Sequence, residues 1–427
     1  MNCTLTDDYL DAILVLQNNF IYVFKYMCLT YIFRRTKMSL RKEELIKVLD
    51  EMPYAIGFPS KYYHDQNIFQ LEMDHLFSKS WLCVARSEDF EKPGDFLVRE
   101  FGSESIIIIR GEDNKLRAFH NFCRHRGSKL FTDKKGSTKI IQCPYHAWTY
   151  TLSGKLVGAP NMERSKVFEK EKYSLVPIKL EEWGGFVFIN LDPSSPPLQE
   201  WLSGFINLWS RFDFSRLRRG GRLVYDVATN WKMLCENYQE CYHCPPVHPL
   251  LNKITPYNTA KKISHLSFKE GKHYSASYME FAGDYTSMTK TGYTKRPLIK
   301  GMTSEDKRRI YYSLVIPNMF FSLHPDYLMI HTVWPISVDR SLIECDFYFE
   351  PEAIADPSFD PSDAMEAWDE INKQDWNVCE LSFKGTTSRF YVPGPYADNE
   401  SGVHGFDKYM AQFYESFLDS LNGKARE

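Results

Sequence analysis

Two short segments each set one cysteine and one histidine at metal-ligand spacing, and nothing else in the chain constrains its fold as much. The first is NFCRHRG, carrying Cys123 and His125. The second is CPYHAW, carrying Cys143 and His146. Together they read C-x-H, seventeen residues, C-x2-H. Each loop brings one soft thiolate and one imidazole, a symmetry that suits two adjacent metal atoms better than one. In a [2Fe-2S] cluster one iron would take both cysteines and the other both histidines, and replacing thiolate by imidazole raises the reduction potential. The competing reading is a structural zinc site with two cysteines and two histidines. Small zinc modules place both cysteines on one knuckle. Neither ligand loop does so, and no basic recognition helix follows. A cluster of this kind passes single electrons, so another part of the chain should use them.

The surroundings of the two loops predict their scaffold. From about Trp81 to Leu191 the chain is a series of short β-rich runs, SIIIIRG, TKIIQC, LVPIKL and GGFVFINL, broken by Gly, Pro, Asp and Asn. Both ligand loops fall on turns between such runs, so a small all-β domain is expected over 81–191. DPSSPP, Asp192 to Pro197, reads as a linker. Beyond it, RLVYDVATNW, SLVIPNMFFSL, LMIHTVW and LIECDFYFEP predict strands of a second, antiparallel sheet. Pro361 to Phe383 predicts a long helix, with Asp360 as its cap and Pro361 at its first position. The expected class is α+β: a helical lead-in over 38–80, the β domain over 81–191, and a larger domain over 192–427.

Composition narrows the function. The hydrophobic fraction is 43% and the net charge is −3, which gives no sign of a nucleic-acid surface. No G-x-G-x-x-G or P-loop occurs, so no nucleotide site is visible and electrons must come from another protein. Ten cysteines in 427 residues do not form a secreted disulfide scaffold. Those outside the ligand loops (Cys3, Cys28, Cys83, Cys235, Cys241, Cys244, Cys345 and Cys379) are expected to be reduced and buried, which makes a reducing cytoplasm the default compartment. Ala12 to Phe33 is largely apolar but contains Gln17-Asn18-Asn19 and Lys25, and a lysine in mid-membrane costs roughly 2.5–3.5 kcal/mol. Residues 1–37 therefore read as an extension outside the folded enzyme. SLRKEELIKVLDEM, from Ser39, has helical periodicity.

A second constellation lies in NWKMLCENYQECYHCPPVHP, Asn230 to Pro249. A helix is expected from Trp231 to about Tyr242, ended by Pro245-Pro246. On it Glu240 and His243, three apart, would share a face, with His248 just past the break. Two histidines with a carboxylate suggest a non-heme iron(II) facial triad, which leaves open positions for dioxygen and substrate. The carboxylate is either Glu240, nearest in sequence, or Asp375. In the long helix an apolar stripe runs through Met365, Trp368, Ile371, Val378, Cys379 and Ser382, and Asp375 falls on it. A carboxylate facing a core is costly unless it is paired or binds a metal.

CRHRG and CPYHAW resemble the Rieske loops of ring-hydroxylating-type oxygenases, with Ala147 where CPYHGW has glycine. NWKxxxENYxExYHxxxxHP resembles the catalytic domain of Rieske non-heme iron oxygenase alpha subunits. That resemblance implies His243, His248 and Asp375 as iron ligands and Asn237 in a supporting role. It implies Glu240 as a bridge to a cluster histidine, His146, of a neighbouring subunit, and a homotrimer. It further implies a larger domain with a helix-flanked antiparallel sheet. Glutamate at 240 is more similar to the subgroup acting on quaternary ammonium compounds such as choline, carnitine and betaines. The expected function is a terminal oxygenase that takes dioxygen and electrons from a separate NAD(P)H-dependent reductase or ferredoxin, and hydroxylates or N-demethylates a small organic substrate. Aromatic-ring hydroxylation is the alternative. A Rieske electron carrier would leave the second constellation idle.

Overall fold

The computed structural model describes residues 40–424. The apolar run Ala12–Phe33, Cys3 and Cys28 lie outside them. Among the described residues no helix is long and apolar enough to cross a membrane.

The run of four isoleucines in SIIIIRG builds the centre of the first sheet. Its strand, Glu104–Arg110, buries Ile106 and Ile108 in one core and Ile107 and Ile109 in another. Successive side chains of a strand point to opposite faces, so a continuous apolar run marks a strand covered on both. Fully burying each such side chain is worth about 1.5–3 kcal/mol. The sheet is antiparallel, in the spatial order Leu82–Arg86, Phe186–Asn190, Pro177–Trp183, Leu116–His120, Glu104–Arg110, Asp95–Phe101, Lys135–Ser137. A three-stranded sheet, Ile141–Gln142, Thr149–Tyr150 and Leu156–Gly158, stands beside it and carries the second ligand loop. TKIIQC thus contributes only Ile141 and Gln142 to a strand.

The second sheet is also seven-stranded and antiparallel, in the order Arg218–Val227, Arg340–Phe349, Leu328–Ser337, Met319–Leu323, Arg309–Val315, Tyr274–Glu280, Lys261–Ser264. SLVIPNMFFSL, expected as one strand, is the meeting of two. Val315 pairs with Met319 across a turn that holds Pro317, where the missing N–H removes a ladder bond. LMIHTVW is buried at every residue. Leu328 and Ile330 pack in one core with Trp81 and Phe186 of the first unit. Met329 and Val333 share the other core with Trp368 and Ile371 of the long helix Ser362–Gly385.

The long helix matches the sequence stripe at Trp368, Ile371 and Cys379, which are buried, and departs from it at Ser382, which is exposed. The stripe drifts because 3.6 residues per turn carries Phe383, not Ser382, onto the inner face. Asp360 accepts from the Ser362 N–H at 2.9 Å, but the helix begins one residue later than expected, at Ser362, so Pro361 and not Asp360 holds the cap position.

Arginines tie the two sheets together. Arg99 forks onto both oxygens of Glu344 at 2.9 and 2.8 Å. Arg86, buried, donates to the carbonyls of Gly184, Phe214 and Leu217. The helices Lys42–Leu49 and Gln66–His75 of the lead-in share the large core with the C-terminal helix Ser401–Lys424.

Candidate metal centres

The first ligand loop turns tightly between strands: the Gly127 N–H reaches the Cys123 carbonyl at 2.9 Å and the Cys123 N–H the Ser128 carbonyl at 2.8 Å. The second repeats the device, with the Ala147 N–H on the Cys143 carbonyl at 3.1 Å and the Cys143 N–H on the Trp148 carbonyl at 2.8 Å. Ala147 takes φ +57°, the left-handed conformation that glycine adopts without cost. The two loops face each other. The rings of His125 and His146 lie 4.8 Å apart, and His125 stacks on Trp148 at 4.8 Å. Cys123 and Cys143 are buried, whereas His146 is exposed and His125 half-buried. Nδ1 of His125 is buried and has no hydrogen-bond partner, which fits a donor atom kept for a metal. Burial pushes the Cys123 thiol up, and a contact at 3.4 Å with the Tyr150 hydroxyl works the other way.

The second centre is built over a greater chain distance. Asn230 caps the helix Trp231–Tyr238 through the Lys232 N–H at 3.0 Å. Its amide also donates to the Tyr63 and Val338 carbonyls at 3.0 and 2.9 Å. Lys232, fully buried, pairs with the equally buried Glu72 at 2.6 Å, and Glu72 also accepts from Trp231 Nε1 and the Tyr414 hydroxyl. The NWK triplet thus locks the start of this helix to two others. The helix stops at Tyr238, short of the expected Tyr242. Glu240 lies beyond it and accepts from the backbone N–H of Tyr242 and of His243, which turns the chain out of the helix. Pro245 and Pro246 open the next short helix, Cys244–Val247, instead of ending the first. A helix start needs no N–H from them.

This turn brings His243 and His248 together with Asp375 of the long helix. Asp375 Oδ1 lies 3.2 Å from His243 Nε2 and 2.8 Å from His248 Nε2. One donor atom from each residue falls within a span of 4.8 Å. Each histidine is held from behind: His243 Nδ1 contacts Glu240 Oε1 at 2.5 Å, and His248 Nδ1 contacts Gln374 Oε1 at 2.8 Å. Such partners fix the ring and its tautomer so that the other nitrogen is presented. Glu240 therefore sits behind His243, and Asp375 is the carboxylate at the point of convergence. Burial opposes charge at both Asp375 and His243. Their hydrogen bonds outweigh it, holding Asp375 down to about 2 and raising His243 to about 10. Gln374 was not singled out in the sequence. Its position next to Asp375 was the available signal.

A cavity of about 520 Å3 opens on this centre. Asn237, Glu240, His243, His248 and Asp375 all line it, with Tyr312, His331 and Trp376. Burial holds the His331 pKa down near 4, so its ring is neutral. Cys241 and Cys244, expected reduced, are joined by a disulfide around His243. The turn between helices brings the C-x-x-C pair close, as a one-by-one reading of scattered cysteines does not register. Cys83, Cys235, Cys345 and Cys379 are buried and unpaired as expected.

A β unit with two Cys-His loops, joined to a sheet-and-helix unit with a His-His-Asp pocket, is the architecture of an iron-dependent oxygenase component. The family models agree: residues 80–169 match the Rieske [2Fe-2S] domain, and residues 214–416 match the ring hydroxylating alpha subunit catalytic domain. The glycine betaine monooxygenase oxygenase subunit of Pseudomonas aeruginosa is 30% identical over 398 residues, covering 88% of this chain and 92% of the relative. The carnitine monooxygenase oxygenase subunit of Acinetobacter baumannii is 31% identical over 342 residues, covering 79% and 87%. A solved quaternary ammonium Rieske monooxygenase, described for carnitine oxidation and inter-subunit electron transfer, superposes with a TM-score of 0.73 at 28% identity, covering 88% of this chain and 98% of that one. The chain belongs to the Rieske oxygenase alpha-subunit family, whose two domains carry a [2Fe-2S] cluster and a mononuclear iron.

Proposed function

We propose that this chain is the terminal oxygenase of a quaternary ammonium monooxygenase system, with a cluster domain over 81–191, a catalytic domain over 192–427 and a lead-in over 38–80. The observation that carries the reading is the convergence of three donor atoms, from His243, His248 and Asp375, on the wall of a cavity large enough for a small ligand. The donor sets fit their groups. Two buried thiols and two imidazoles suit a [2Fe-2S] cluster held by Cys123, Cys143, His125 and His146. Two oriented imidazoles and one carboxylate suit iron(II). When bound, the iron supplies the redox chemistry that activates dioxygen. One oxygen atom enters the substrate, and two electrons and two protons turn the other into water. If the hydroxylated carbon is an N-methyl group, the product loses it as an aldehyde.

The chain's own residues orient and enclose. Glu240 and Gln374 fix the two imidazoles, and Asn237 lines the cavity beside them. The aromatic faces of Tyr312 and Trp376 suit a quaternary ammonium, which has no N–H to donate and binds best over rings. Electrons come from a separate reductase or ferredoxin in the cytoplasm, since no nucleotide motif is present. The assembly is a homotrimer in which Glu240 couples the iron to His146 of the neighbouring subunit.

The test is a product screen with glycine betaine, carnitine, choline and simple aromatic acids, using a surrogate reductase. Formation of demethylated or hydroxylated amine supports the reading, and turnover of the aromatic acids alone overturns it. The electron-carrier reading predicts two irons per chain where the oxygenase holds three. Subunit coupling is tested by mixing His146→Ala with Asp375→Ala chains: activity in a verified mixed trimer, absent from either parent, supports transfer between subunits.

A further inference from the structure

The cavity is lined by Asp375, Glu240, Tyr312 and Trp376, which are buried or half-buried, and by Lys262 and His265, which are exposed. Lys262 belongs to the edge strand Lys261–Ser264, opposite Ser277 on the neighbouring strand. Among the described residues its ammonium forms no ion pair, and the one side-chain hydrogen bond it makes is a long one, 3.4 Å, to the Ser401 carbonyl. An ammonium carries three donors, so Lys262 has capacity to spare. Its neighbour Lys261 also lines the cavity and lies 6.0 Å from the centre of the Tyr278 ring. Asp398 shares the lining without pairing with Lys262. Lys262 is exposed as a residue, yet desolvation of its ammonium lowers the pKa, with no carboxylate to offset the loss.

We propose that Lys262 is the anion-recognising residue of the cavity, and that the chain thereby selects trimethylammonium compounds ending in a carboxylate over those without one. The inference rests on the quaternary ammonium reading and deepens it. A zwitterion entering head first sets its cation at the rings of Tyr312 and Trp376 and its carboxylate at Lys262. The reverse orientation would take the ammonium away from the two rings and leave the carboxylate without Lys262. Choline has the same head but ends in a neutral hydroxyl, which offers Lys262 no charge to pair with.

The experiment compares wild type, Lys262→Met and Lys262→Arg with glycine betaine, carnitine and choline, choline serving also as a competitor. A charge-assisted hydrogen bond of about 1.5–3 kcal/mol corresponds to about tenfold to a hundredfold in affinity. Lys262→Met is expected to raise KM for at least one of the carboxylated substrates by that factor, with kcat nearly unchanged. The KM or inhibition constant of choline should stay where it was, and Lys262→Arg should restore the carboxylate preference. An equal shift for choline and the carboxylates, no shift at all, or a wild type that prefers choline overturns the inference alone. A wild type that turns over none of the three, with reductase and iron verified, overturns the substrate reading and the inference with it.

Discussion

The two candidate metal centres are built on opposite plans. The cluster loops are local: four donors within one short stretch, each loop closed by its own backbone, with His146 exposed, His125 half-buried and its Nδ1 left without a partner. The second centre is long-range. His248 and Asp375 are 127 residues apart, both imidazoles are braced from behind, and His248 is 1% exposed. The difference follows the task. A group that exchanges electrons with other proteins needs an accessible edge. A group that handles dioxygen and substrate needs orientation, enclosure and a cavity.

If the centres are independent in this way, lesions in one should spare the other. The largest effects come from the donors. Asp375→Ala should bring turnover to background and lower iron from three to about two per chain, with the cluster's EPR signal intact. Retained iron, with loss on Glu240→Ala instead, would exchange the roles of the two carboxylates. Cys123→Ser or His146→Ala should remove the visible cluster spectrum and leave mononuclear iron; an unchanged spectrum in both would break the assignment of that centre.

The long-range centre should also depend on its buried frame. Lys232→Met leaves Glu72 buried without its cation and should destabilise the chain by about 3–5 kcal/mol in denaturant unfolding. Adding Glu72→Leu should recover most of that loss. A smaller effect is expected behind the ligands: Gln374→Ala should weaken iron binding by about 10–100-fold, measured by chelator competition. At the local centre the smallest change runs the other way. Ala147→Gly should relieve the left-handed strain and stabilise the loop by about 1 kcal/mol, read from the thermal loss of cluster absorbance. No gain would mean that the loop is already held by contacts outside itself.

How much of this was legible in the sequence follows the same division. The cluster loops and the SIIIIR strand could be read directly, because their determinants are neighbours in the chain. The late helix was legible as a helix, and Asp375 stood out as a carboxylate on an apolar stripe. Its convergence with the histidines was legible only through family resemblance, since no periodicity reports a distance across 127 residues. Gln374 was missed for that reason. The end of the helix at Tyr238 was missed because Glu240 turns the chain with its side chain, an effect that helix propensity does not carry. The split of SLVIPNMFFSL was signalled by Pro317 and overridden by the apolar run around it.

The difference in chain distance also has a temporal meaning. A ribosome releases the chain from its N-terminus, at about 5–20 residues per second. The first sheet has all its strands once Asn190 has emerged, whereas the iron pocket lacks a donor until Asp375 does. At that pace the interval is roughly ten to forty seconds. During it, a nascent chain already holds every donor of the cluster centre, while His243 and His248, once emerged, have no carboxylate partner from the long helix. Synthesis thus completes the two donor sets at different times, the sulfur-bearing one first.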